Sequence, residues 1–105
     1  MGNYAISYFG EPSFNSPEEG SLYQTKWRAW VSGLGEALVD PGMPLGASRI
    51  VSSDGVTDGA RPGRLTGYSI VKADSLDRAV ELVKACPHLD HGTVEVSEVM
   101  DMAMM

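Results

Sequence analysis

Leu65-Thr-Gly-Tyr-Ser-Ile-Val-Lys72 is followed by Asp74-Ser75, then by the apolar series Leu76, Ala79, Val80, Leu82 and Val83, and finally by Thr93-Val-Glu-Val-Ser-Glu-Val99. The first run, rich in β-branched residues with a tyrosine, predicts a strand. Asp74-Ser75 caps a helix whose apolar residues recur at helical spacing. Cys86-Pro87 closes that helix, because proline cannot extend it. The last run alternates apolar and polar residues, the pattern of a half-buried strand. This half of the chain therefore reads strand, helix, strand.

The N-terminal half opens in the same way. Tyr4-Ala-Ile-Ser-Tyr-Phe9 predicts a strand stopped by Gly10 and Pro12. Ser16 is an N-cap, Pro17 suits the first helical position, and Glu18 and Glu19 face the positive end of the helix dipole. Gly20 weakens that first turn and moves the expected start toward Ser21. Leu22, Tyr23, Trp27, Trp30, Val31, Leu34 and Leu38 then form one apolar helix face, ended by Asp40-Pro41-Gly42. After the turn-rich Pro41–Gly46 stretch, Ser48-Arg-Ile-Val-Ser52 predicts the second strand. Ser53–Gly63 is a loop by composition, across which the strands at 48–52 and 65–72 are expected to pair.

The order strand, helix, strand, strand, helix, strand predicts an α+β fold of the ferredoxin-like βαββαβ type. Its four-stranded antiparallel sheet would carry both helices on one face. At 105 residues there is room for one domain, residues 1–105. Tyr4, Ile6 and Tyr8 point to one side of the first strand, whereas Ala5 and Phe9 point to the other. Burying an aromatic side chain is worth about 1.5–3 kcal/mol. The second apolar face therefore predicts a homodimer with its sheets packed together.

The composition, 43% hydrophobic and 21% charged, is that of a globular protein. Eight Lys and Arg against fourteen Asp and Glu give a formal charge of −6. The basic residues form no dense run, which argues against nucleic-acid and anionic-membrane partners. Cys86 is the sole cysteine, as expected of a cytoplasmic protein, and no apolar run is long enough to span a bilayer. With no basic segment leading into an apolar stretch ahead of the first strand, no signal peptide is expected.

Cys86, His88, Asp90 and His91 crowd together, but a structural zinc site draws ligand pairs from two loops and no second pair is present. A partner subunit would have to supply it, so the cluster reads as a helix end and no metal or cofactor is expected. Gly33-Leu-Gly35 follows no strand and reads as a packing feature, not a phosphate loop. Trp27 and Trp30 project about 60° apart. Trp30 fits the core, and Trp27 fits either the core or a flat ligand. Tyr8 and Tyr68 bring strand hydroxyls, and Arg49 lies among apolar neighbours; since a buried guanidinium requires an anion, it is either an edge residue in water or a carboxylate-binding group. Met100–Met105 is a polarizable tail that either frays or covers a partner.

Gly67-Tyr68-Ser-Ile-Val-Lys-Ala73, Ser75-Leu-Asp-Arg-Ala79, Cys86-Pro87-His88-Leu89 and Val94-Glu95-Val96 with Val99-Met100 resemble the YCII-related, or DGPF-domain, proteins. Trp27, Trp30 and the glycine after them extend the resemblance over nearly the whole chain. It implies a dimeric α/β barrel built from ferredoxin-like subunits. Two departures stand out. The name motif is reduced to Asp58-Gly59-Ala60-Arg61, and Tyr23-Gln-Thr-Lys-Trp27 lacks the first-helix histidine of a proposed His–Asp dyad. No catalytic residue is therefore carried over.

A pocket is expected between sheet and helices, lined by Tyr8, Trp27, Arg49 and Tyr68 with His88 at its rim. The leading reading is a homodimeric YCII-related domain that binds a small molecule. The alternative is an enzyme performing acid–base chemistry on a small organic acid or aromatic compound.

Overall fold

The computed structural model describes residues 1–104. The first strand, β1, runs Gly2–Phe9, and helix α1 runs Pro17–Leu34. Ser16 caps α1 by accepting the Glu19 N–H at 3.2 Å, while Glu19 accepts the Asn15 N–H at 2.9 Å. This reciprocal cap lets α1 begin at Pro17 despite Gly20, four residues before the expected start at Ser21.

Gly35, at φ +53°, stops α1 and sends its N–H back to Ser32 O. After a 3-10 turn at Gly35–Ala37 the chain forms a short strand, β2, at Leu38–Asp40. Strands β3 (Arg49–Ser52) and β4 (Gly55–Asp58) form a separate hairpin. Strand β5 is Leu65–Ala73, helix α2 is Leu76–Val83, and strand β6 is Thr93–Glu98. Ser75 caps α2 by accepting the Arg78 N–H at 3.1 Å.

The sheet order is β2-β5-β1-β6, all antiparallel, which is the ferredoxin-like arrangement of an α+β fold. Its second strand is not the expected one. Leu38, four residues beyond Leu34, fits the helical period of α1, yet it pairs with Val71 at the edge of β5. The stretch at 48–52 pairs not with β5 but with 55–58, which sequence composition marks as loop. Ser52 faces Gly55 across a two-residue turn, and Val51 faces Val56. Both strands of this hairpin are exposed throughout. It stands away from the sheet, and the radius of gyration is accordingly 15.3 Å, against about 13 Å for a compact chain of this length.

Strand alternation places Tyr4, Ile6 and Tyr8 of β1 on the same face as Val71 and Ala73 of β5. Leu34 of α1 and Ala79 and Val83 of α2 complete that core. Trp30 anchors the helices to each other, its Nε1–H donating to Leu82 O at 3.0 Å while its ring packs on the core. The opposite sheet face is uncovered by helices. There Ala5 lies opposite Ile70 and Ser7 opposite Tyr68. Of the tail, Met102–Met104 form a 3-10 turn, with Met102 exposed, and Met105 lies outside the described residues.

Candidate functional site

Between the helix-covered face of the sheet and α1 lies a cavity of about 320 Å³. Each wall comes from a different element. From β1 comes Tyr8; from α1 come Tyr23 and Trp27, one helical turn apart; from β5 come Gly67 and Ser69. The fourth wall is a strap, Pro41–Pro44, that crosses the edge of β5 after β2. The strap approaches β5 closely at Gly42, whose φ of +72° and missing side chain admit the Tyr68 carbonyl. It is held by Asp40, which accepts the Gly42 N–H at 2.8 Å, and by the bridge of Pro44 to Gly67.

A buried relay ties strap to sheet. The Tyr8 hydroxyl donates to Ser69 Oγ at 2.8 Å, and Ser69 Oγ donates to Pro41 O at 2.8 Å. Burial raises the Tyr8 pKa well above its ordinary value, so the phenol stays protonated and acts as a donor at neutral pH. Burial likewise raises that of Tyr23. The aromatic rings meet edge to face, Tyr8 with Trp27 at 5.2 Å and Trp27 with Trp30 at 5.3 Å.

His88 closes the inner end. It sits in a 3-10 turn, Pro87–Asp90, between α2 and β6 and is 2% exposed. Its Nε2 lies 2.7 Å from Phe9 O, and its ring meets Tyr8 edge-on at 5.6 Å. The turn comes this close to β1 because Gly92 has no side chain: a Cβ there would fall 2.0 Å from Phe9 O.

Of the residues singled out in the sequence, Tyr8, Trp27, Tyr68 and His88 border this cavity. Tyr68 does so from β5, but strand alternation turns its ring toward the opposite face, where it is 38% exposed. Arg49 is not at the site. It lies on the exposed β3 strand and donates to the neighbouring Ser48 O, because its strand pairs outside the main sheet. Tyr23, Ser69 and the strap are among the contributors that were not singled out as pocket residues. Tyr23 carries a legible signal, since it shares a helical face with Trp27. Ser69 and the strap carry none, because their place depends on long-range pairing.

Cys86 is buried beside this turn, and burial pushes its thiol up from an ordinary value near 9 to about 11. His91 leans instead on Tyr23 and Phe14, at 4.9 and 5.2 Å. Among the described residues no three His, Cys, Asp or Glu side chains converge as a metal site. The thiol shift has a measurable sign. Because the folded pKa is the higher one, stability is unaffected below about pH 9 and falls by roughly 2–3 kcal/mol as pH rises toward 11. Urea unfolding of Cys86→Ala at the two pH values is expected to show a fall smaller by about that amount, the remainder coming from Tyr8 and Tyr23, whose phenol pKa values burial also raises. Native Cys86 is also expected to react with iodoacetamide at least about a hundredfold more slowly than the unfolded chain.

No helix of the described residues is long and apolar enough to cross a membrane. No curated protein matches the sequence above chance. Among solved structures, the chain is similar to 5-chloro-2-hydroxyhydroquinone dehydrochlorinase (TftG) from Burkholderia phenoliruptrix AC1100, solved in complex with 2,5-dihydroxybenzoquinone. The TM-score is 0.60 at 16% identity, covering 97% of each chain. At that identity the likeness is one of fold. The sequence pattern of the YCII-related domain matches residues 35–103, from the end of α1 through β6. With the fold and well over half of its length in agreement, the chain belongs to the YCII-related domain family.

Proposed function

We propose that this chain is a single, homodimeric domain that binds a small, flat, hydroxylated aromatic molecule in the cavity between its sheet and α1. The observation that carries this reading is the wall itself. Tyr8, Tyr23 and Trp27 supply aromatic surface, and none of the lining residues is Lys, Arg, Asp or Glu. With Arg49 out on the hairpin, a carboxylate in the cavity would find no guanidinium or ammonium to pair with and would have to arrive together with a proton for His88. An uncharged ring with hydroxyl groups meets no such penalty, which narrows the choice between organic acids and aromatic compounds. TftG, a protein of the same fold, was solved in complex with 2,5-dihydroxybenzoquinone, and this supports a ligand of this shape.

Ala5, Phe9, Ile70 and Tyr68 on the uncovered sheet face support pairing with a second copy. A monomeric mass by light scattering at micromolar concentration would remove that part of the proposal. A reducing, cytoplasmic setting is supported by the single buried thiol.

The binding test uses tryptophan emission, with Trp27 at the cavity and Trp30 behind it. Catechol is expected to quench Trp30→Phe, which retains Trp27, and to bind Trp27→Ala about three- to tenfold more weakly. Benzoate binding as tightly as catechol would sink the reading, as would no binding by either.

A further inference from the structure

We propose that His88 is the proton acceptor of this site, taking a hydroxyl proton from the bound ring through Nδ1; the proposal rests on the cavity being a ring site. The Phe9 carbonyl can only accept a hydrogen bond, so the proton of the neutral imidazole sits on Nε2 and points at that oxygen, 2.7 Å away. Nδ1 is then left with a lone pair. It has no hydrogen-bond partner among the described residues, and every fully enclosed side-chain nitrogen or oxygen there does have one. Nδ1 is therefore open, and the space that His88 borders is the cavity. An imidazole that is 98% buried, fixed in one tautomer by a backbone carbonyl and open at its basic nitrogen is arranged as a base.

The other polar groups nearby do not compete for this role. Tyr8 and Ser69 are committed to each other and to Pro41, and Thr66 Oγ1 donates to Gly10 O at 2.9 Å. Tyr23 faces the cavity as a protonated phenol, and the Cys86 thiol behind it is neutral. Asp90 and His91 share the turn but do not line the cavity.

The step balances without any further reagent. The ring's O–H bond breaks, an Nδ1–H bond forms, and the electron pair stays on the phenolate oxygen. The resulting imidazolium and phenolate neutralise each other, so no net charge is buried. The electron-rich ring is then activated, and the imidazolium is placed to return the proton.

The full chain has two histidines, so nitrogen-15 NMR of the imidazole resonances, assigned with His91→Gln, reads His88 directly. The free protein is expected to show the Nε2–H tautomer. Saturation with 4-nitrophenol should shift the Nδ1 resonance toward that of a protonated nitrogen, and saturation with 4-nitroanisole, which lacks the hydroxyl proton, should not. Wild type should prefer the phenol by about tenfold, and His88→Phe should erase the preference while still binding the anisole. An Nδ1–H tautomer, an unmoved Nδ1 resonance with phenol bound, or a preference that survives His88→Phe would each overturn the role of His88 while leaving the ring site standing. Failure of both probes to bind wild type would remove both. Should His88→Phe not fold, the wild-type spectra alone decide.

Discussion

Gly42→Ala is expected to destabilise the protein by about 3 kcal/mol or more and to abolish ring binding in the cavity. Two separate costs add. At φ +72° an alanine sits in the left-handed region, a conformation that costs about 1–2 kcal/mol for an L-residue. Its Cβ would also lie 1.6 Å from the Tyr68 carbonyl oxygen and 2.6 Å from the carbonyl carbon. Both are backbone atoms of β5, held in the sheet, so the strap must move instead. Moving it breaks the Ser69–Pro41 hydrogen bond and the Pro44–Gly67 bridge, and with them the fourth wall of the cavity. Thermal unfolding should show a melting temperature lower by at least about 10 °C. Gly35→Ala is the matched control. Its φ of +53° is also positive, with a ψ of −126° that glycine alone adopts readily, but nothing lies within 4 Å of its added Cβ. It should lose only the conformational part, about 1–3 kcal/mol, and keep ring binding. Ring binding that survives Gly42→Ala as it survives Gly35→Ala would show that the strap is not held where the close approach puts it.

Ile6→Ala is expected to cost about 2–5 kcal/mol, the range for deleting a buried aliphatic side chain that leaves a cavity. Ile6 is 0% exposed and occupies the middle of the sheet, facing Ser69 on β5 and Val96 on β6. Neither neighbouring strand can collapse into the gap without breaking its ladder. The contrast is Val51→Ala on the hairpin, where Val51 is 75% exposed and the change should stay within about 0.5 kcal/mol. Chemical denaturation of both variants gives the comparison. A cost at Val51 near that at Ile6 would mean that the hairpin is covered in solution, as contact with a second copy would do.

Much of the fold was legible because its signals are local. Ser16 and Ser75 cap helices within three residues of themselves, and the alternation through Tyr4, Ile6 and Tyr8 needs no partner to be read. Helix α2, by contrast, stops at Val83, short of the expected Cys86-Pro87, and Pro87 instead opens the 3-10 turn. Where two local readings were equal, sequence could not choose. Leu38 continues the helical period of Leu34 and is also fit for a strand, and Gly35 settles the matter by taking a positive φ. The stretch around Arg49 has strand composition whether it joins the main sheet or folds back on Val56 and Thr57.

By itself the sequence determined two capped helices, the strands at the start, in the C-terminal half and at the end, and the α+β class their order demands. Tertiary structure alone decided which segment took the edge beside β5, and so removed Arg49 from the site. It also decided what surrounds His88. The hydrogen bond that orients this imidazole spans 79 residues, and the one between Tyr8 and Ser69 spans 61. Caps and periodicity act within a turn or two of the chain, whereas these contacts exist only once the sheet has brought its distant strands together.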